Sequence, residues 1–183
     1  MSAGRLFEAP AAGFDAPFEM LDACHDRVRR MLALLQRLQA HLAAHGADEQ
    51  ARQAARDVMR YFDLAAPAHH EDEERHVFPA LLQADPTRWA PLVARLREDH
   101  AEMAAEWPRS REALAAVEAG HWDPATQAQA LSWARFAALY AGHLVTEDDA
   151  VFPAAMALMD APELAAMGAE MAGRRGVGRP PPN

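Results

Sequence analysis

Internal disulfides are excluded, because Cys24 is the only cysteine among 183 residues, and a lone thiol suits a reducing compartment. β-Branched residues are sparse, which leaves little material for strands. Alanine, leucine, arginine and glutamate dominate instead, and with 51% apolar residues the composition predicts a mostly helical fold. Excess positive charge is lacking too. A formal charge of -9 argues against nucleic acid, whose phosphates favour a basic face, and against an anionic membrane surface. No charge-free apolar run approaches the roughly eighteen residues of a spanning helix. The N-terminus, where Glu8, Pro10 and Gly13 follow one arginine, lacks a secretory apolar core. The expectation is one soluble, cytoplasmic domain with a full core.

Residues 1 to about 14 carry Gly, Pro and Ala without periodicity and read as an extended arm. Asp15 and Pro17 mark a helix start, and Leu21, His25, Val28, Leu32, Leu35 and Leu42 form an inward stripe that stops at Gly46. A second helix, capped by Asp48, passes Phe62, Pro67, His69 and Glu73 to about Leu82. Kinks are expected near Pro67 and Pro79, because each removes an intrahelical hydrogen bond. The third helix opens near Asp85, carries Leu96, His100, Met103, Trp107, Leu114 and Val117 inward, bends at Pro108 and ends at Gly120. Asp123 and Pro124 open a fourth, with Leu139, His143, Glu147, Ala150 and Ala154 on one face. Asp160 and Pro162 start a short fifth helix to about Met171, and residues 174–183 read as a disordered tail. The predicted fold class is all-α, an antiparallel up-down-up-down four-helix bundle over residues 15–160, flanked by the arm and by a short helix with a flexible tail over 161–183.

One pattern occurs twice on these helices. His25 is followed 44 residues later by His69 and then by Glu73; His100 is followed 43 residues later by His143 and then by Glu147. Phe62, His69, Glu73, Val77, Phe78 and Pro79 match Phe136, His143, Glu147, Val151, Phe152 and Pro153 at a constant offset of 74. Residues four apart on a helix are rotated by about 40° and raised by about 6 Å, so each His-x-x-x-Glu pair aims both side chains at one volume. Two such clamps, with His25 and His100 on the buried stripes between them, supply donors for a two-metal site.

Burial favours that reading. A lone carboxylate in a bundle core costs several kcal/mol or takes up a proton, whereas cations between two glutamates and four imidazoles satisfy both donor types. Four nitrogens and two bridging carboxylates give each of two ions about four protein bonds, leaving room for exogenous ligands. Structural zinc favours thiolates and a closed shell, and calcium and magnesium favour oxygen. Iron is therefore the first choice and manganese the second. The imidazoles must be neutral to bind, so metal affinity is expected to fall below about pH 6.

The other polar residues of these helices receive ordinary roles. His70 and Glu74 share the four-residue spacing, but their equivalents are Leu144 and Asp148, so the repeat selects His69 and Glu73. His76 corresponds to Ala150 and reads as a partly exposed polar residue. His41 and His45 interact with a helix C-terminus, and His121 lies in a loop. Tyr140, one turn before His143, packs in the core or points toward the site. Glu71, Asp72 and Glu74 read as a solvated face, and Cys24 as a small buried thiol.

The order His, His-x-x-x-Glu, His, His-x-x-x-Glu on four helices resembles the hemerythrin-like, or HHE, cation-binding domain. The run from His69 to Glu74 and the run Val77, Phe78, Pro79, Ala80, Leu81 read like that family's second helix. The resemblance spans about residues 15 to 160. It implies a bundle holding a non-haem di-iron centre with an oxo or hydroxo bridge, His25, His69, His100 and His143 as terminal ligands, and Glu73 and Glu147 bridging. It further suggests His25 and His69 on one iron and His100 and His143 on the other.

Oxygen-carrying members have a further histidine four residues from the third-helix ligand; here those positions are Leu96 and Ala104. Both irons are thus expected to stay open to water, dioxygen, nitric oxide or peroxide. The resulting expectation is a metal-binding protein acting as sensor, buffer or scavenger of a diatomic gas or peroxide. The alternatives are a di-iron oxidoreductase or peroxidase with Tyr140 as an outer donor, and a bundle in which metal only stabilises the fold.

Overall fold

The structure, a computed structural model, describes residues 13–123 and 127–177, and every regular element among them is helical. Helix α1 spans Pro17–His45, α2 Glu49–Asp72, α3 Phe78–Ala84, α4 Pro86–Glu118, α5 Gln127–Thr146, α6 Phe152–Leu158 and α7 Ala161–Arg174. Most of the arm, Pro124 and the last six residues lie outside the described residues. Among the expected caps, Asp48 accepts from the Ala51 amide and Asp85 from the Arg88 amide. Asp160 and Glu163 form a reciprocal capping box. Asp15 does not cap α1: Ala16 holds the cap position without a side-chain bond, and Pro17 opens the helix. Gly46 ends it at a φ of 69°, where its amide reaches the Leu42 carbonyl.

The prolines act differently from one another. Helix α2 continues through Pro67 and α4 through Pro91 and Pro108 without interruption. At Pro79 and Pro153 the chain instead leaves α geometry, with π-helical turns at Glu73–Val77 and Glu147–Val151. In each, the amide just before the proline, that of Phe78 or Phe152, reaches five residues back to the carbonyl of Glu73 or Glu147. Both π turns therefore begin on a glutamate of the doubled pattern.

Helix α1 packs on α2 and α5, α4 packs on α2 and α5, and α3 lies against α6. This closed ring buries two apolar clusters. One gathers Val28, Leu35, Phe62, Met103, Leu114, Trp133 and Phe136 with their neighbours; the other gathers Leu21, Val77, Phe78, Leu81, Leu96, Val151 and Phe152 with theirs. Along α1, α2, α4, α5 and the two π turns the six residues of the doubled pattern fall between the two clusters. A polar layer thus divides an otherwise apolar interior.

Helix α7 is tied down at its C-terminal end and near its middle. Arg174 and Arg175, which composition placed in the disordered tail, both bind the buried carboxylate of Asp72; Arg175 does so at 2.6 and 3.0 Å. Arg174 also donates to Glu170 at 2.7 Å. Nearer the middle, the α-carbon of Gly168 meets the Phe14 backbone so closely that a Cβ would lie 1.7 Å from the Phe14 carbonyl oxygen. Backbone, not a flexible side chain, fills that space, so Gly168→Ala is expected to destabilise the fold by about 1–3 kcal/mol, lowering the melting temperature by about 3–10 °C. Thermal unfolding followed by circular dichroism checks this; an unchanged midpoint would show that α7 is not docked in this way.

Candidate metal centre

His25 projects from α1, His69 from α2, His100 from α4 and His143 from α5, while Glu73 and Glu147 open the two π turns. All six are buried, none more than 5% exposed. Glu73 faces both ways: Oε1 lies 3.0 Å from His69 Nε2 and 3.7 Å from His25 Nε2, while Oε2 lies 3.4 Å from His100 Nε2. Glu147 Oε2 sits 3.2 Å from His25 Nε2 and 3.1 Å from His143 Nε2, and the His100 and His143 Nε2 atoms are 3.2 Å apart. The donor atoms form two overlapping groups, His25, His69, Glu73, Glu147 and Glu73, His100, His143, Glu147, each within 4.8 Å. Donors roughly 2.1 Å from one ion at right angles lie roughly 3 Å apart, which these separations match.

Seven atoms of this set, on His25, His69, Glu73 and Glu147, are buried without a hydrogen-bond partner among the described residues. Leaving a buried polar group unsatisfied costs about 1–3 kcal/mol, and more for a charged one. Cations held by the two groups would satisfy six of these atoms, all but His69 Nδ1, since one imidazole offers a single nitrogen to the site, so the residues fit a pair of metal ions. Without metal, the carboxylates of the set draw protons onto its imidazoles against the effect of burial. Burial pulls the His25 imidazole toward neutrality, yet the adjacent Glu147 and Glu73 carboxylates outweigh it and raise the pKa to about 9. His69, against Glu73, is raised well above the usual value despite its burial, and His100 is raised as well. Burial favours the neutral acid at Glu73, but His69, His100 and His25 hold it far below the usual carboxylate range.

The far nitrogens of three histidines are fixed by carboxylates. His25 Nδ1 donates to Asp148 at 2.6 Å, His100 Nδ1 to Glu74 at 2.8 Å and His143 Nδ1 to Asp99 at 3.3 Å. A carboxylate only accepts, so each Nδ1 carries a proton, and a ring that has lost its second proton turns its Nε2 lone pair inward. Arg29 holds Asp148 from outside. The arrangement repeats with the chain: Asp148 and Glu74 each follow a glutamate of the pattern, and Phe152 and Phe78 lie near-parallel to the rings of His25 and His100 at 4.9 and 5.8 Å. Asp99 precedes His100 and serves His143; Cys24, which precedes His25, lies beside His69 and helps to raise its pKa.

Several neighbours differ from their expected roles. The acidic run is a solvated face only in part: Asp72 is buried under Arg174 and Arg175, and Glu74, although exposed, orients His100. The repeat signalled Glu74 and Asp148 as a pair, whereas Asp99 gave no signal beyond its place beside His100. Cys24 is half-buried, not buried. Tyr140 packs in the core against Phe62 and Phe136. His76 bonds Glu170 at 2.7 Å, His41 bonds Asp48 and His121 is exposed. His70 does approach the site, as its nitrogens group with those of His100 and His143.

Two outcomes are expected. Asp148→Asn removes the charged acceptor behind His25 and weakens metal affinity about 10- to 100-fold, while Asp149→Asn, on the exposed side of the same turn, leaves it unchanged; competition with a chelator measures both. Protons add stability to the metal-free fold below the ordinary histidine value of 6.5, a contribution lost as pH rises through about 9 for His25. Metal uptake at about pH 7.5 should therefore release protons, which places the competition higher than the pH 6 expected for free imidazoles. Titration calorimetry in two buffers of different ionisation heat reads that release.

An uncharacterized protein of Haemophilus influenzae is 33% identical to this chain over 96 residues, which make up 52% of the chain and 55% of that protein. The chain thus spans about half the length of the curated relative it matches. The hemerythrin HHE cation binding domain matches residues 16–155, a stretch that contains all six buried donors and most of the chain. The chain belongs to the hemerythrin HHE cation-binding domain family.

Proposed function

We propose that this chain is a non-haem di-iron protein that binds or responds to dioxygen, nitric oxide or peroxide. In this reading residues 15–160 form an up-down-up-down four-helix bundle. His25 and His69 hold one iron, His100 and His143 the other, and Glu73 and Glu147 bridge the pair together with an oxo or hydroxo group. The observation that carries it is the convergence of six buried donors into two groups that share both glutamates. Bound iron supplies a redox-active centre that takes small molecules at positions the protein leaves unfilled. Helix α4 leaves such a position, because Leu96 and Ala104, one turn either side of His100, have no donor atom.

The protein residues divide the remaining work. Imidazoles anchored by Asp148, Glu74 and Asp99 keep their orientation, the two apolar clusters exclude bulk water from above and below, and the bridging carboxylates hold the ions at one separation. Protein expressed with ample iron is expected to contain about two equivalents per chain, and its reduced form to change optical spectrum on exposure to dioxygen or nitric oxide. Metal well below one equivalent would falsify the reading. Metal-dependent melting without any spectral response would leave iron a structural role only.

A further inference from the structure

A pocket of about 80 Å³ opens on the side of the bundle where α2, α4 and α5 meet. Phe62, Ala66, Met103, Phe136 and Tyr140 line it as buried residues, and exposed Pro67 and Ala104 stand at its rim. His70 belongs to the same lining and reaches the site from it. Its ring lies face to face with His100 at 4.0 Å and 8°, and one of its nitrogens falls within 4.8 Å of a ring nitrogen of His100 and one of His143. Two rings stacked in parallel cannot aim their lone pairs at one ion, so this geometry sets His70 beside the metal position rather than on it. Among the described residues its nitrogens make no hydrogen bond.

His70 also breaks the repeat. The matching residue beside His143 is Leu144, which is buried in the apolar core. The two halves therefore supply equivalent donors but unequal surroundings, with an imidazole N–H next to the His100–His143 position and only hydrocarbon at the equivalent place. Ala104 adds to the difference, since one turn beyond His100 it leaves space where a larger side chain would close the pocket.

We propose that this pocket is the entry and holding site for the exogenous ligand of the centre, a hydrogen-bond acceptor of two or three non-hydrogen atoms, and that His70 holds it there by donating a hydrogen bond. The proposal rests on the di-iron reading and adds where the ligand enters, which metal position it faces and what recognises it. The size of the pocket admits a molecule of that scale and excludes a bulky organic substrate. Besides the tyrosine, and Trp107 whose indole N–H is taken by Asp63, its lining supplies one polar contact, which suits a small neutral or singly charged ligand better than a strongly hydrated one.

Azide, titrated into the iron-loaded full-length protein and followed optically and by stopped flow, tests this. His70→Leu, which copies Leu144, is expected to keep the wild-type iron content and to bind azide about three- to tenfold more weakly through faster dissociation, with partial recovery in His70→Asn. Ala104→Phe, at the exposed rim, is expected to slow azide association with iron content unchanged. Wild-type azide affinity and dissociation in His70→Leu overturn the proposal, and so does loss of one iron from that variant, which would make His70 a ligand. A wild-type chain that takes up no iron removes the di-iron reading itself, an outcome distinct from either.

Discussion

The energetic constraint on this fold is the placement of two glutamates and four histidines in a layer with no water to solvate them. Apolar residues above and below that layer would pack without it, and each orphaned donor or acceptor in it opposes folding. The family's cation-binding role follows from the same constraint: a group of carboxylate oxygens and imidazole nitrogens that are costly to bury alone becomes favourable to bury around positive charge. The two apolar clusters then serve the site as much as they are divided by it, since they keep the local dielectric low and the donors fixed.

Around that layer the molecule applies one solution twice. A π turn opens on a glutamate, the next residue is a carboxylate that orients a histidine from another helix, and the phenylalanine after the turn lies near that histidine's ring. The widened turn brings three consecutive functions into one short stretch: bridging, orienting and covering. Proline after each phenylalanine lacks an amide hydrogen, so it makes no demand on the carbonyls that the altered register leaves behind. The diagonal pair is less regular. Asp99 orients His143, but Cys24 occupies the matching place beside His69, so one histidine lacks the charged acceptor that the other three have.

What could be read from sequence was whatever a single helix or a constant offset determines. The spacing put His69 and Glu73 on one face, and the offset of 74 chose them over His70 and Glu74, which share the spacing. The helix caps at Asp48, Asp85 and Asp160 were legible because a cap is a local bond. Asp72 was not, because its burial depends on arginines 102 and 103 residues away. Those arginines lie in a Gly-, Pro- and Arg-rich end whose composition suggests disorder, and only α7 docking gives them a partner. Glu74 and Asp148 were visible as a repeated pair, yet a run of acids reads as solvated until a neighbouring helix brings an imidazole to it. Asp99 depended on the rotation of α4 against α5, which no residue pattern within either helix specifies.

Charge gives the site its coupling between metal and protons. Glu73 and Glu147 within the layer, and Glu74, Asp99 and Asp148 just outside it, carry five negative charges, of which Arg29 offsets one at Asp148. Two divalent cations would balance the remaining four. Stripped of metal, the same carboxylates raise the proton affinity of His25, His69 and His100 against the effect of burial. Protons and metal ions are thus alternative occupants of one negative site. Because the outer carboxylates are part-exposed and the inner pair is buried, salt should screen the former and leave the exchange at Glu73 and Glu147 almost unaffected.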